Sequence, residues 1–366
     1  MLKEKTGIGP GLLFMVLYVS MFSYGIIQSP YVAAKYMGNN GYWGFFLAFI
    51  ISIPVIGLIC LLGRRFPHKS IVQYLPEVFG TILGKSLGFF YLTFIMVLMV
   101  WASRTISEEI NVYFLSRTPM WASVFLFLIV STYVAHQGIE GVTRLAAFIF
   151  PVTFFLSFAA ILFSFQNFQL DNIRPVFLID GYKIPYGSLQ MFYPFLTLLP
   201  VLMIYPYLTE KQKGFKVVTG ATLLVFVIIF LVILSGIGNY SAPGLLRYSW
   251  TVLELTRKAN LPFVLQTFGL FFGATYLSQA LVGTGFFYYV LSEGVSQLLN
   301  VSNYKWFTLI LFPITYFLIM LPSGIVDVRF VFPYIRIIGF AITLGLPLVI
   351  LLAAILRRRG EIKSAS

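Results

Sequence analysis

Residues 8–34 form a long apolar run that contains no charged residue. A helix needs about 20 apolar residues to cross a bilayer, so this run is long enough to be a transmembrane span. Its middle contains Gly25 and Gln28, and Pro30 follows. Glycine readily leaves helical geometry, and proline disfavours that geometry in the residue before it. The pattern fits two structures: a broken helix whose unwound backbone lines a cavity, or a continuous helix with a small-residue packing face.

The composition indicates that the whole chain lies in a membrane. Of its 366 residues, 59% are hydrophobic and only 10% are charged, whereas soluble domains carry about 25% charged residues. The net charge of +13 is better explained by Lys and Arg in cytoplasmic loops than by nucleic-acid binding. Cys60 is the only cysteine, so the sequence offers neither an internal disulfide nor a metal-binding pattern. We expect a lipid-embedded protein with no cofactor, no metal and no nucleic-acid partner.

Further apolar runs follow to the end of the chain and predict one polytopic membrane domain over residues 1–366. Barrel strands would be about half as long and would alternate, so the predicted fold class is all-α. The prediction is an integral membrane protein with ten transmembrane helices, placed at about residues 8–34, 38–63, 86–114, 118–137, 145–167, 187–209, 217–239, 262–292, 306–322 and 333–356.

Spans one and six both contain helix-breaking residues. Span six carries Pro194, Pro200 and Pro206, and three prolines in one crossing disfavour an unbroken helix. Two interruptions five spans apart in a ten-span chain are typical of an inverted repeat of five plus five helices, the LeuT-like arrangement. We therefore predict that helices one and six are broken.

An even number of spans places both termini on the same side of the membrane. That side then receives 15 of the 25 Lys and Arg residues, and the positive-inside rule identifies it as the cytoplasm. Two shorter elements are expected between spans: an interfacial helix around residues 71–79, and a turn followed by an amphipathic helix within residues 243–260.

The ionisable residues do not suggest a reaction. All twelve carboxylates fall outside the central parts of the predicted spans, and no nucleophile and base form a recognisable motif, so we expect no enzymatic activity. Arg104 and Glu108 are four residues apart, hence neighbours on one helix face near the outer interface. Two interpretations fit them. The two residues are an ion pair in which Arg104 snorkels to the interface, or they form an outer gate or a contact with a partner chain.

Several short patterns in a specific order resemble one family of membrane proteins. The patterns are Tyr-Gly-Ile-Ile at 24–27, Arg-Thr-Pro at 117–119, Ile-Arg-Pro-Val at 173–176, Pro-Phe at 194–195 with Pro206, and the three arginines at 357–359. Together they resemble the B subunit of nutrient germinant receptors from endospore-forming bacteria. That family is similar to the amino acid–polyamine–organocation transporters.

The resemblance implies a sensor with a transporter fold in the inner membrane of the dormant spore. It implies a small nutrient ligand, commonly an amino acid, and two partners, an A subunit and a lipoprotein C subunit. The pocket is expected between spans one, three, six and eight. The binding residues implied by this carry-over are Tyr24, Gly25, Ile26, Gln28, Thr197, Leu198 and Pro200.

Two places depart from the family pattern, and both departures remove charge. Thr197 stands where many members carry Glu, and Gln266, Thr267 and Phe268 stand where many show an Arg-x-Glu pair. A broken helix could still bind an amino acid through free amides at one end and free carbonyls at the other. Three functions stay open: a germinant-receptor subunit, an amino acid secondary transporter, or a scaffold that has lost ligand binding.

Overall fold

Helices dominate the computed structural model, which describes residues 7–174, 181, 183–248, 250–258 and 268–360. Within these residues the α-helices are α1 (Pro10–Gly25), α2 (Ser29–Met37), α3 (Gly41–Arg65), α4 (Ile71–Phe79), α5 (Thr81–Tyr113), α6 (Met120–His136), α7 (Gly138–Ser164), α8 (Lys183–Met191), α9 (Val201–Ile204), α10 (Gly214–Leu245), α11 (Thr251–Lys258), α12 (Phe268–Leu298), α13 (Lys305–Met320) and α14 (Ile325–Leu356). The predicted all-α class is confirmed.

Several of these helices have the length and apolarity of membrane spans. Among the described residues, five continuous helical segments qualify, or six spans if one bent pair is counted as one; the first segment joins α2 and α3. The five are Ser29–Arg65, Thr81–Tyr113, Gly138–Asn167, Lys211–Leu245 and Ile325–Leu356. The bent pair joins Lys183–Met191 to Tyr193–Tyr207 at 44°. The chain is therefore a multi-pass membrane protein.

The first apolar run is interrupted where glycine and proline occur. Helix α1 ends at Gly25, a turn covers residues 26–28, and α2 begins at Ser29. Pro30 is tolerated in the first turn of α2 because the N–H that it lacks would have no partner inside the helix. The Gly25 carbonyl accepts hydrogen bonds from the Ser29 and Tyr193 hydroxyls, each at 2.5 Å.

The sixth predicted span is also irregular. After α8, the chain forms a 3₁₀ helix at Tyr193–Leu198, the single turn α9, and a second 3₁₀ helix at Tyr205–Tyr207. A proline lies at the start of each piece or immediately before it, where no helical hydrogen bond from its nitrogen is needed. Tyr193 joins this segment to the turn after α1, so the two interruptions are in direct contact.

Helix α1 lies at the centre of the fold. Residues 16–23 are all buried, as expected for a helix that is apolar on every side. It packs against α7, α10, α12 and the 3₁₀ helix Tyr193–Leu198. The two predicted connecting helices are present as α4 and α11, and α4 buries Ile71, Tyr74, Leu75 and Val78 along one side.

Candidate ligand-binding site

A small cavity lies beside the interruption after α1, and we call it the central cavity. Its volume of about 10 Å³ is the space of a single water molecule. The end of α1 with its following turn, α5 and α12 form its walls. The lining residues are Ser23, Tyr24, Ile27, Gln28, Trp101, Ala102, Thr105, Ile106, Glu109 and Tyr276.

Glu109 supplies a carboxyl group to this cavity from α5. Its side chain is 2% exposed, and neither carboxyl oxygen has a hydrogen-bond partner within the described part of the chain. The Tyr276 hydroxyl of α12 lies beside the carboxyl group but outside hydrogen-bond geometry. Ionising a buried carboxyl group without a partner is strongly destabilising. A ligand that brings a cationic group would stabilise the ionised form of Glu109.

Glu109 is a residue of this cavity that the sequence analysis did not include among the predicted binding residues. Residue 109 lies near the outer end of the predicted third span at residues 86–114. In the structure, α5 extends over Thr81–Tyr113 and packs along α12, which covers this end of the helix. Helical spacing was the missed signal, because Ala102, Thr105 and Glu109 recur on one face of α5.

Tyr24 in the last turn of α1 and Gln28 in the turn that follows add polar groups to the cavity. The Tyr24 hydroxyl donates to Thr284 Oγ1 of α12 at 3.4 Å, and its ring lies 4.9 Å from that of Phe287. Gln28 is 8% exposed, and its Nε2 donor has no acceptor among the residues that the structure describes. Gln28 also lines a second small cavity, whose far wall includes Arg336 of α14.

Arg336 is the basic counterpart of Glu109. It is 2% exposed, and its guanidinium lies 3.4 Å from the Phe332 ring centroid and 4.7 Å from that of Tyr193. Its polar contact in the described structure is Gln190 Oε1 at 3.5 Å, and its Nε atom is unpaired there. Gln28 thus separates a buried acid from a buried base, and Tyr193 lies within electrostatic range of both.

The predicted site residues of span one take different places around the central cavity. Tyr24 and Gln28 line it. Gly25 packs tightly instead, because a Cβ atom there would lie 2.7 Å from Ile229 Cδ1 and 2.8 Å from Pro194 Cβ. Ile26 is fully buried in the core.

The predicted residues of span six lie in the neighbouring irregular segment. Thr197 is 1% exposed, and its hydroxyl donates to the Pro194 carbonyl at 2.6 Å. Leu198 and Pro200 are buried beside it. The lining of the central cavity includes none of these three residues. Gln266, Thr267 and the Phe268 side chain lie outside the described residues.

Arg104 and Glu108 form the ion pair that their spacing predicts, at 2.7 Å. The Arg104 side chain is only 4% exposed, and its Nη1 lies 3.5 Å from the Ile319 carbonyl oxygen. A snorkelling arginine keeps its charged head in water. The burial of Arg104 therefore favours a contact between α5 and α13 over the snorkelling interpretation.

Comparison with known proteins agrees with the sequence patterns. A family model described as spore germination protein matches residues 8–328. The chain belongs to this family. The chain is 25% identical over 344 residues to spore germination protein YndE of Bacillus subtilis (strain 168), and the match covers 93% of this chain and 94% of that protein. It is also 25% identical over 333 residues to spore germination protein B2 of the same strain, covering 87% and 86%.

The fold of this chain matches that of a solved structure. The crystal structure of MhsT in complex with L-phenylalanine superposes with a TM-score of 0.72. The sequence identity is 15%, and the match covers 94% of this chain and 88% of MhsT. At this identity the similarity establishes the architecture alone.

Proposed function

We propose that this chain is the membrane subunit of a spore nutrient-germinant receptor. It binds a small nutrient, an amino acid, in the central cavity and passes the signal for germination to its A and C partner subunits. The chain lies in the inner membrane of the spore with both termini in the cytoplasm. The proposal includes ten spans arranged as an inverted five-plus-five repeat, with breaks in the first and sixth. Family membership supports the receptor role, and this role involves no enzymatic reaction.

The observation that carries ligand binding is the pair of buried, opposite charges around Gln28. Glu109 would accept the ammonium group of an amino acid, whereas Gln28 and Arg336 offer donors to its carboxylate. Free carbonyls at the end of α1 are a weaker candidate for the ammonium site, because two hydroxyls already occupy the Gly25 carbonyl. Charged side chains therefore replace the helix ends as the proposed anchors.

Binding requires a conformational change in this proposal. The central cavity holds about 10 Å³, whereas small-molecule sites commonly measure about 300–1,000 Å³. The turn after α1 must therefore move relative to α5 or α12 before a nutrient can enter. A ligand favours whichever conformation it binds better, and a partner subunit in contact with the moving element would receive that shift.

The alternative function is an amino acid secondary transporter. The shared fold with MhsT favours it, since that protein was solved with a free amino acid bound. In a transporter, the same conformational change would open the site to each side of the membrane in turn. The scaffold hypothesis loses support. Thr197 and residues 266–268 lack the charges of the family pattern, but Glu109 and Arg336 supply charges to the proposed site.

Gene deletion and reconstitution distinguish these functions. Spores without the gene would be tested for germination on a panel of amino acids, and purified protein in vesicles would be tested for uptake of the same labelled amino acids. Loss of one nutrient response without uptake supports the receptor. Normal germination on every nutrient together with gradient-driven uptake supports the transporter and overturns the receptor proposal.

Glu109→Gln tests the anchor directly. Removing one member of a buried charge contact costs about 2–5 kcal/mol, so nutrient affinity should fall at least about thirtyfold. Glu140→Gln is the matched control, because Glu140 is a surface carboxylate paired with Arg144 at the start of α7. Equal affinities in the two variants would remove Glu109 from the binding site.

A further inference from the structure

A second and larger cavity lies between α5, α13 and α14, and we call it the lateral cavity. Its volume is about 420 Å³, within the range of small-molecule sites in proteins. Its walls are mostly aliphatic, with Val97 on α5, Leu318 on α13, and Val328 and Val331 on α14. These residues leave the interior of the cavity almost without polar groups.

The mouth of the lateral cavity faces the side of the helix bundle. Leu321 and Val331 line it and are 58% and 47% exposed on the protein surface. Both belong to a part of the chain rich in exposed apolar side chains, since Val326 and Phe330 are 76% and 71% exposed. In a multi-pass membrane protein, such a surface contacts lipid hydrocarbon.

Two hydrogen-bond donors in the lining have no acceptor within the described residues. They are Arg104 Nε and Trp101 Nε1. Both donor atoms are buried within the protein, and Glu108 neutralises the charge of Arg104 through its Nη2 atom, so the cavity offers no free charge to an anionic ligand. Asp327 also lines the cavity, but its carboxylate accepts from the Ser323 backbone N–H at 2.8 Å.

We propose that the lateral cavity binds one acyl chain of a membrane phospholipid. The aliphatic walls hold the chain, and the exposed apolar mouth places the lipid hydrocarbon next to the opening.

Trp101 connects the lateral cavity to the central cavity, because it lines both. Its ring stacks on Phe332 at 3.5 Å between centroids, and Phe332 in turn contacts the Arg336 guanidinium. An acyl chain in the lateral cavity would therefore support the wall of the candidate ligand-binding site. The lipid site itself rests on the lateral cavity alone and does not depend on the proposed function.

Photolabelling tests the proposal. The full chain would be reconstituted in vesicles that contain phosphatidylglycerol with a diazirine in one acyl chain. Mass spectrometry should then locate the adducts at the lateral cavity on α5 and α14. Val331→Trp fills the cavity from α14 and leaves no room for the acyl chain. Labelling at the cavity should therefore be lost.

The matched control is Val349→Trp, which adds the same bulk at a 53% exposed position of α14 outside the cavity. It should leave labelling unchanged. Val97→Phe narrows the cavity from α5 and provides an independent variant should Val331→Trp fold poorly. Labelling that is equal in all variants would overturn the proposal. So would labelling that disappears once the chain is assembled with other receptor subunits, since a partner helix would then occupy the cavity.

Discussion

The contact between the two interrupted segments can be tested by removing its hydroxyl groups one at a time. Ser29 and Tyr193 each donate to the Gly25 carbonyl at 2.5 Å. Either substitution, Ser29→Ala or Tyr193→Phe, leaves the other donor in place and should lower the free energy of unfolding by about 1 kcal/mol. Removing both leaves a buried carbonyl without these donors, which costs about 1–3 kcal/mol more. The double variant should therefore lose more than the sum of the single losses.

Tyr18 provides a matched control for the loss of a phenolic hydroxyl. It is fully buried in α1, and its hydroxyl has no hydrogen-bond partner in the described structure. Tyr18→Phe removes the same atom as Tyr193→Phe without breaking a hydrogen bond. The free energy of unfolding should stay constant or rise, because a buried polar group without a partner is removed.

The four variants would be purified in detergent and unfolded by titration with SDS, with tryptophan fluorescence as the readout. The cycle of single and double variants separates the coupling between the two hydroxyls, which share the carbonyl and lie 3.0 Å apart, from the individual effects of each residue. If Tyr193→Phe were no more harmful than Tyr18→Phe, or if the two losses simply added, the two hydroxyls would not jointly hold the break.

Three further predictions follow from packing, topology and charge. Gly25→Ala places a Cβ atom 2.8 Å from Pro194 Cβ in a rigid ring, so it should lower the unfolding free energy by about 1–3 kcal/mol; an unchanged value would show that α1 and Pro194 can move apart without cost. Lys363→Cys, in a Cys60→Ser background, should resist a membrane-impermeant maleimide in intact cells, and labelling would contradict cytoplasmic termini. Glu109→Gln should stabilise the ligand-free protein while weakening nutrient binding, and a stability loss would instead assign Glu109 a structural role.

The all-α fold class could be predicted because its causes are local. Long apolar runs require helices in a membrane, and Gly25, Pro30 and the prolines of span six disrupt helical hydrogen bonds wherever they occur. The capping of Gly25 could not be predicted in the same way. It depends on Tyr193, which is 168 residues away in the sequence.

The charged part of the site was missed because span limits do not define burial. The predicted tenth span begins at residue 333, so Arg336 falls in its first turn, whereas α14 begins at Ile325 and carries Arg336 well inside the helix. Glu109 falls near the end of the predicted third span, at the same outer side of the membrane. In both cases the decisive factor is the neighbouring helix, and the sequence of a single chain does not state which helices are neighbours.

The proposed site also explains why a sensor would need both charges. Moving a two-state equilibrium from 1:99 to 99:1 requires about 5.5 kcal/mol of differential binding. Losing one buried charge contact costs about 2–5 kcal/mol, which is below this threshold, whereas losing two together can exceed it. Glu109→Gln should therefore fail to trigger germination even at nutrient concentrations that saturate the variant. A normal response at saturation would show that Arg336 and Gln28 suffice, and the two-charge argument would be wrong.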